Sequence, residues 1–199
     1  MKLNANELNE LAGLPFTFNP DEAARIVMDA ELNSLALPNS TELVKPKIGH
    51  AWKSHLVPVL RDLGFSGKGS DFCRVTQRSF QAISLQRFNY GGCFVVNFGM
   101  QPIILAAEGR TPFKEIECAV RSRWTNGNGE IWWCYENNAK SMAAAAQAAG
   151  TLLRKHCDRH FEWLEMAVFG NTEPDWDEIH SIGRASVVHA RILLRSVDG

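Results

Sequence analysis

Alternating apolar and polar positions fill the middle of the chain and predict β-strands there. The alternation is clearest in FQAISLQRF and GCFVVNFGM, and DFCRVTQ, EIECAVRSRW and IWWCY are further strand-like runs. One face of GCFVVNFGM is entirely apolar and carries Phe94, Val96, Phe98 and Met100. The segment Asn89-Tyr90-Gly91-Gly92 is predicted to be a hairpin connection. Strands that follow one another through short turns predict antiparallel pairing.

The run EIECAVRSRW is predicted to be a strand along its whole length. One face of that strand would carry Ile116, Cys118, Val120, Ser122 and Trp124. Glu115 and Glu117 are two residues apart and would share the other face. Paired carboxylates can serve acid–base or metal chemistry. Because the sequence shows no catalytic constellation of Lys and Asp side chains near them, a solvated strand edge is the favoured interpretation.

Helical periodicity precedes the strands. Asn19-Pro20-Asp21-Glu22 has the N-cap, first-turn proline and acidic third position of a helix start. A second helix is predicted from Pro46 to Leu63, with Pro58 kinking or splitting it and Gly64 ending it in the left-handed conformation. Its apolar stripe consists of Ile48, Trp52, Leu56, Val59, Leu60 and Leu63.

Helical periodicity also follows the strands. An Ala-rich helix is predicted to run from Ala139 towards His160, and FEWLEMAVF is predicted to be a second helical piece. A final helix is predicted to begin at Thr172-Glu173-Pro174-Asp175.

This order of elements predicts an α+β fold: an antiparallel sheet of about four or five strands, with helices packed mainly on one face. We expect an N-terminal helical arm at residues 1–45, a core domain at 46–170, and a C-terminal helix at 171–199 packed on the core. The hydrophobic fraction of 45% is sufficient for a buried core, which excludes global disorder.

Charge and cysteine content restrict the class of protein. The net charge is −1, which argues against a strongly polyanion-directed chain, although residues 51–140 carry a net charge of +4. Five cysteines without a C-x-x-C pair indicate neither a zinc site nor a disulfide framework, so we expect reduced thiols and a cytoplasmic protein. No signal peptide or transmembrane helix is predicted, and nothing in the sequence indicates the oligomeric state.

Two segments resemble ligand sites but fail on spacing. The loop Ser66–Ser70 has glycines around Lys68, yet a strand rather than a helix follows it, so a joint between helix and sheet explains it better than phosphate binding. His156 and His160 are four residues apart on a helix, yet no third metal ligand accompanies them. We therefore expect no metal, no cofactor and no catalytic residue.

The strand region mixes basic and aromatic residues, which leaves two interpretations open. A sheet face of this kind can bind RNA or single strands, although strand aromatics are more often core residues. The basic members are Lys68, Arg74, Arg78, Arg87, Arg121 and Arg123. Polar strand positions can instead line a protein-binding surface, but the sequence does not fix the register that would bring them together.

With these motifs in view, the chain resembles a family known as domain of unknown function 4304. The resemblance covers approximately residues 48–169. The matching residues are Gly64, Phe65, Gly69, Phe72, Gln86, Phe94, Asn97, Gly99, Cys118, Arg121, Arg123, Trp132 and Trp133. As the family has no assigned activity, the resemblance implies a fold and no catalytic residues.

We therefore expect a non-enzymatic, cytoplasmic protein-binding domain, with an immunity-like protein as the narrower candidate on fold-level analogy. The first alternative is a nucleic-acid-associated protein that uses the basic sheet region, and the second is an enzyme with an unrecognised site. The residues expected to bind the partner are Gln86, Asn97, Arg121, Arg123 and Trp133.

Overall fold

The structure, a computed structural model, describes residues 47–88, 92–106, 114–124, 130–170 and 181–197. The arm at residues 1–45, with its predicted helix start at Asn19, lies outside these residues. So do most of the hairpin connection at 89–92 and the predicted start of the final helix near Thr172.

The described elements are three helices and six strands. Helix α1 consists of three consecutive segments, Ile48–Ala51, Trp52–Leu56 and Val57–Asp62. The strands are β1 (Ser66–Lys68), β2 (Asp71–Val75), β3 (Ser79–Arg87), β4 (Cys93–Pro102), β5 (Val120–Arg123) and β6 (Trp133–Cys134). Helices α2 (Ala139–Phe169) and α3 (Ser181–Val197) follow, with short 3₁₀ turns at Ile103–Leu105 and Glu115–Glu117.

The strands form one sheet in the order β1-β2-β3-β4-β5, and every pairing is antiparallel. Strand β6 pairs with β4 as well. This architecture confirms the predicted α+β fold with an antiparallel sheet. The two shortest strands, β1 and β6, are three and two residues long.

The edge next to β4 is a single interrupted strand. Arg123 of β5 lies opposite Asn97, and Trp133 of β6 lies opposite Phe94. Arg123 and Trp133 are ten residues apart, but their partners on β4 are only three apart. Seven residues on this side, which we call the excursion, therefore have no counterpart on β4. The backbone N–H of Ile131 donates to the carbonyl of Trp124 and closes this excursion at 3.0 Å.

The main core lies between the sheet and helices α1 and α2. The predicted apolar face of β4 points inward, and Phe94 and Phe98 are completely buried in this core. We call this side of the sheet the inner face and the opposite side the outer face. The stripe predicted for α1 is confirmed, because its members from Ile48 to Leu60 are buried in the same core.

Pro58 changes the geometry of α1 as its missing N–H predicts. The segment Trp52–Leu56, which ends two residues before Pro58, is a π-helix, in which the N–H of Val57 donates to the carbonyl of Trp52 five residues back. The helix ends at Leu63, and Gly64 has a φ of 82°, which confirms its predicted left-handed conformation.

The Gly-rich segment after α1 is partly a strand, contrary to the predicted loop. Ser66–Lys68 forms β1 because the turn at Gly69-Ser70 folds it back onto β2. Arg61 donates to the carbonyl oxygens of Phe65 and Gly67 at 3.2 and 2.6 Å. These bonds occupy backbone acceptors on a sheet edge that would otherwise be open to another strand.

The prediction of one strand from Glu115 to Trp124 is wrong in its first half. Glu115–Glu117 is a 3₁₀ turn, and Ile116, predicted to share one face with Val120, is 64% exposed, whereas Val120 is completely buried. The turn packs on the outer face instead: a Cβ on Gly99 would lie 2.8 Å from Cys118 Sγ and 2.9 Å from Glu115 Cα. Only a glycine permits this approach.

Helix α3 packs against β5 and α2. Its Val187 and Ala190 are completely buried in the main core. The hydroxyl of Ser186 accepts from the backbone N–H of Arg121 and donates to its carbonyl, at 3.1 and 3.3 Å. The side chain of Arg191 donates to the carbonyls of Ala167 and Gly170 at the end of α2. Helix α3 thus covers the edge of β5.

Candidate functional site

Four polar side chains form a connected network on the outer face, which we call the outer polar cluster: Gln86, Asn97, Arg123 and Glu130. Arg123 donates through Nε to Asn97 at 2.5 Å, through Nη1 to Glu130 at 2.6 Å and through Nη2 to Gln86 at 2.9 Å. Asn97 Nδ2 donates to the same Gln86 oxygen at 3.0 Å. Each of the three guanidinium nitrogens therefore donates to an acceptor.

Strand register places these residues together. Asn97 is directly opposite Arg123 across the β4–β5 pair, while Gln86 pairs with Val95, two residues along β4 from Asn97. Residues with this diagonal relation lie on one face within reach of long side chains. Glu130, at the end of the seven-residue excursion, completes the cluster, and no sequence pattern signalled it.

The cluster is graded from buried to exposed. Asn97 is only 4% exposed, whereas Gln86 is exposed and Arg123 and Glu130 are half-buried. A partly buried ion pair that is also hydrogen-bonded is held more firmly than a surface pair. The side chains are thus fixed, while the amide of Gln86 faces solvent.

Arg121 lies beside the cluster on the same face of β5. Its Nε donates to the buried carboxylate of Glu115 at 2.6 Å. Glu115 was predicted to be on a solvated strand edge, but the 3₁₀ turn folds it under Arg121. The carboxylate pair Glu115 and Glu117 does not converge, because Glu117 Oε2 turns back to accept from the N–H of Lys114.

Trp133, the fifth residue expected in the binding site, lies elsewhere. It is 4% exposed on the inner face and stacks on Phe94 with 5.5 Å between ring centroids. The structure therefore brings together Gln86, Asn97, Arg121 and Arg123 but separates Trp133 from them by the thickness of the sheet.

The basic residues of the strand region do not share one face. Arg74 lies on the inner side, where it pairs with Asp158 of α2 at 2.7 Å and stacks over Phe65. Arg87 lies over the ring of Trp52, and the guanidinium of Arg78 lies over the ring of Phe169. Their charges are used in contacts with helices and aromatic rings.

A serine–histidine pair lies on the inner face and was not expected from the sequence. Ser122 Oγ and His160 Nε2 share a hydrogen bond of 2.8 Å. His160 packs against Phe98 and Trp124 with centroid distances of 4.4 and 6.0 Å, and Ser122 is 4% exposed. Burial lowers the pKa of His160 to about 3, so the imidazole is neutral at physiological pH.

The expectation that all five cysteines are reduced is wrong. Cys93 and Cys134 form a disulfide bond, because β4 and β6 place them directly opposite each other. A separation of 41 residues in sequence gives no sign of this contact. The remaining cysteines, Cys73, Cys118 and Cys157, form no disulfide bond and are buried.

Within the described ranges, no group of three or more His, Cys, Asp or Glu side chains is arranged to hold a metal ion. None of the helices in that part of the chain combines the length and apolarity needed to cross a bilayer.

A family model described as "Domain of unknown function (DUF4304)" matches residues 56–163, more than half of the chain. The match confirms the resemblance inferred from the order of motifs and includes the whole sheet. Neither the curated proteins nor the solved structures contain a significant match.

Proposed function

Because the chain belongs to the DUF4304 family, whose description names no activity, we propose a function from its own residues: it is a non-enzymatic protein-binding domain. The proposed recognition surface is the outer polar cluster together with Arg121. The observation that carries this proposal is the network that fixes Arg123 between three acceptors while Gln86 faces solvent.

Fixed polar side chains favour recognition because less conformational entropy is lost when a partner binds. A guanidinium held by three acceptors has little conformational freedom left to lose, and Asn97 is hydrogen-bonded to both Arg123 and Gln86. Arg is also enriched at the centre of protein interfaces, where planar donors bond several acceptors at once. The Gln86 side-chain oxygen already accepts from Arg123 and Asn97, so its exposed amide offers N–H donors at the rim.

The charges of the surface favour a protein partner over a polyanion. Arg121 is paired with Glu115 and Arg123 with Glu130, so the two cations are locally neutralised. Nucleic-acid binding derives most of its affinity from cations that replace counterions on phosphates. A surface of matched ion pairs and amides instead suits a partner with mixed polar groups.

The narrower form of the proposal is an immunity-like protein, whose partner is a toxin enzyme. Its support is the fold class alone, which is an analogy. Its test is direct: the purified chain would inhibit a toxin domain encoded beside it, and inhibition would be lost with the same variants that weaken binding.

The experiment compares two truncations of the same residue type. Gln86→Ala removes the shared acceptor of Arg123 and Asn97, whereas Gln77→Ala truncates an exposed residue in the turn between β2 and β3. Each immobilised chain is exposed to an extract of the source cells, and captured proteins are quantified by mass spectrometry. A candidate partner is then purified and titrated against each variant by calorimetry.

We expect the purified partner to bind wild type and Gln77→Ala equally, and Gln86→Ala at least about tenfold more weakly, the loss typical of one well-placed interface residue. Equal affinity for all three chains would refute this surface. A salt-sensitive gel shift with nucleic acid, lost on Arg121→Ala, would support the nucleic-acid alternative instead.

A further inference from the structure

The disulfide bond joins β4 to β6 on the outer face, four residues along β4 from Asn97. Cys93 and Cys134 are directly opposite each other, with 4.0 Å between their Cα atoms. The bond closes a loop that includes β5, the seven-residue excursion and Glu130. It therefore determines where the chain that carries Glu130 returns to the sheet.

Besides the packing of Trp133 against Phe94, only a short backbone pairing holds β6 on β4. This strand is two residues long, and its pairing with β4 consists of Cys93 with Cys134 and Phe94 with Trp133. One further backbone bond, from the N–H of Tyr135 to the carbonyl of Gly92, extends the pairing by a residue. A strand this short has few hydrogen bonds to resist local opening.

The chain's cysteines differ in their capacity for thiol–disulfide exchange. Cys157 is completely buried, and burial raises the pKa of its thiol to about 12; burial likewise raises the pKa of Cys118. Because the thiolate is the reactive form, these thiols are poor nucleophiles. Cys134, in contrast, is partly exposed.

We propose that the Cys93–Cys134 bond is a redox-responsive cross-link that holds β6 on β4 and so keeps Glu130 paired with Arg123. The inference is independent of the partner proposed above, since it concerns the state of the sheet itself. It defines a modification site for thiol reductants and for disulfide oxidants of low molecular weight.

The reduction balances with a dithiol as the electron donor. One thiolate attacks the more exposed sulfur, that of Cys134, and Cys93 leaves as a thiolate that takes up a proton. The second thiol of the reagent then attacks the mixed disulfide and releases Cys134. Two electrons and two protons pass to the protein, and the dithiol becomes a cyclic disulfide. Oxidised glutathione reverses the change and yields two molecules of glutathione.

The first test counts thiols in the full chain purified without reductant. After denaturation and alkylation, intact mass should show three modified cysteines before treatment with dithiothreitol and five after it. Five modified cysteines before reduction would overturn the proposal.

The second test measures what the bond holds. We expect dithiothreitol to lower the Tm of wild type by about 10 °C, from the closure of a loop of this length in a chain of this size. Cys134→Ser should show the lower Tm without reductant and no response to it. Cys73→Ala, which removes a cysteine that is not part of the disulfide bond, should keep the response.

Hydrogen–deuterium exchange then locates the effect within native wild-type protein, so that no variant has to fold. Reduction should increase exchange in residues 130–135 and leave the centre of β3 unchanged. Oxidised glutathione should restore the original protection. If the bond forms but exchange in residues 130–135 is the same in both redox states, the proposal that the disulfide bond holds β6 on β4 is refuted.

Discussion

Acidification should destabilise the protein through His160, which folding keeps neutral. The ordinary pKa of a histidine, 6.5, is lowered to about 3 in the folded chain because the ring is buried against Phe98 and Trp124. Below the ordinary pKa, the unfolded chain takes up a proton that the folded chain does not. The stabilisation is therefore complete above about pH 6.5 and is lost as the pH falls towards about 3.

The magnitude follows from proton linkage. Each pH unit between the two pKa values costs about 1.4 kcal/mol of unfolding free energy. At pH 5, about 1.5 units below the ordinary value, the loss is about 2 kcal/mol, or about 5 °C in Tm for a chain of this size. This is a large share of the stability of a typical domain.

The assay is urea unfolding, followed by tryptophan fluorescence, at about pH 7.5 and about pH 5. Wild type is compared with His160→Gln, which cannot titrate but can still bond Ser122, and with His50→Gln, which alters an exposed residue of α1. Wild type and His50→Gln should lose about 2 kcal/mol more than His160→Gln between these pH values. An equal loss in all three chains would refute the reasoning.

Two further substitutions test packing and capping. Gly99→Ala should destabilise the fold by about 2 kcal/mol, because the added Cβ would meet the backbone of Glu115. The control is Gly49→Ala, whose Cβ would have nothing within 4 Å and which should not destabilise the fold. Thermal unfolding compares the two variants, and equal Tm values would contradict the close approach. Asn138→Ala should lower the free energy of unfolding by about 1 kcal/mol, because the Asn138 side chain accepts from the N–H of Ser141 at 2.8 Å and caps α2. Asn137 does not cap the helix, so Asn137→Ala is the control. A comparable loss in both variants would show that the cap contributes nothing.

The parts of the fold that follow from local pattern were predictable from the sequence. The faces of β3 and β4 agree with their period of two, since Ile83 and Phe98 are both completely buried in the main core. The effect of Pro58 follows from its missing N–H, and the end of α1 follows from Gly64. Each of these features depends on neighbouring residues along the chain.

The features that the sequence did not reveal depend on register. The pattern EIECAVRSRW alternates like a strand throughout, but Gly99 admits a 3₁₀ turn against the outer face, and tertiary packing overrides the local preference. Cys93 and Cys134 meet only because the edge strand is interrupted by seven residues. A period-two pattern shows which residues share a face of one strand, but it does not show which residues of the next strand lie opposite them.

The candidate site was only partly predictable from the sequence, again because strand register could not be read from it. Gln86, Asn97, Arg121 and Arg123 could be assigned to strand faces, and pairing brought them to one surface. Trp133 was predicted to lie in the binding site but lies on the inner face. The face of each residue in β6 depends on where pairing with β4 resumes after the interruption. Glu130 carried no signal, since its role depends on where the excursion returns.

The interruption between β5 and β6 also has a use in engineering. Both ends of the excursion are anchored to β4, by Arg123 opposite Asn97 and by Cys134 opposite Cys93. Doubling the length of a flexible loop costs only about 0.6 kcal/mol. We therefore expect a peptide epitope or a fluorescent reporter inserted in sequence between Trp124 and Glu130 to leave the sheet intact.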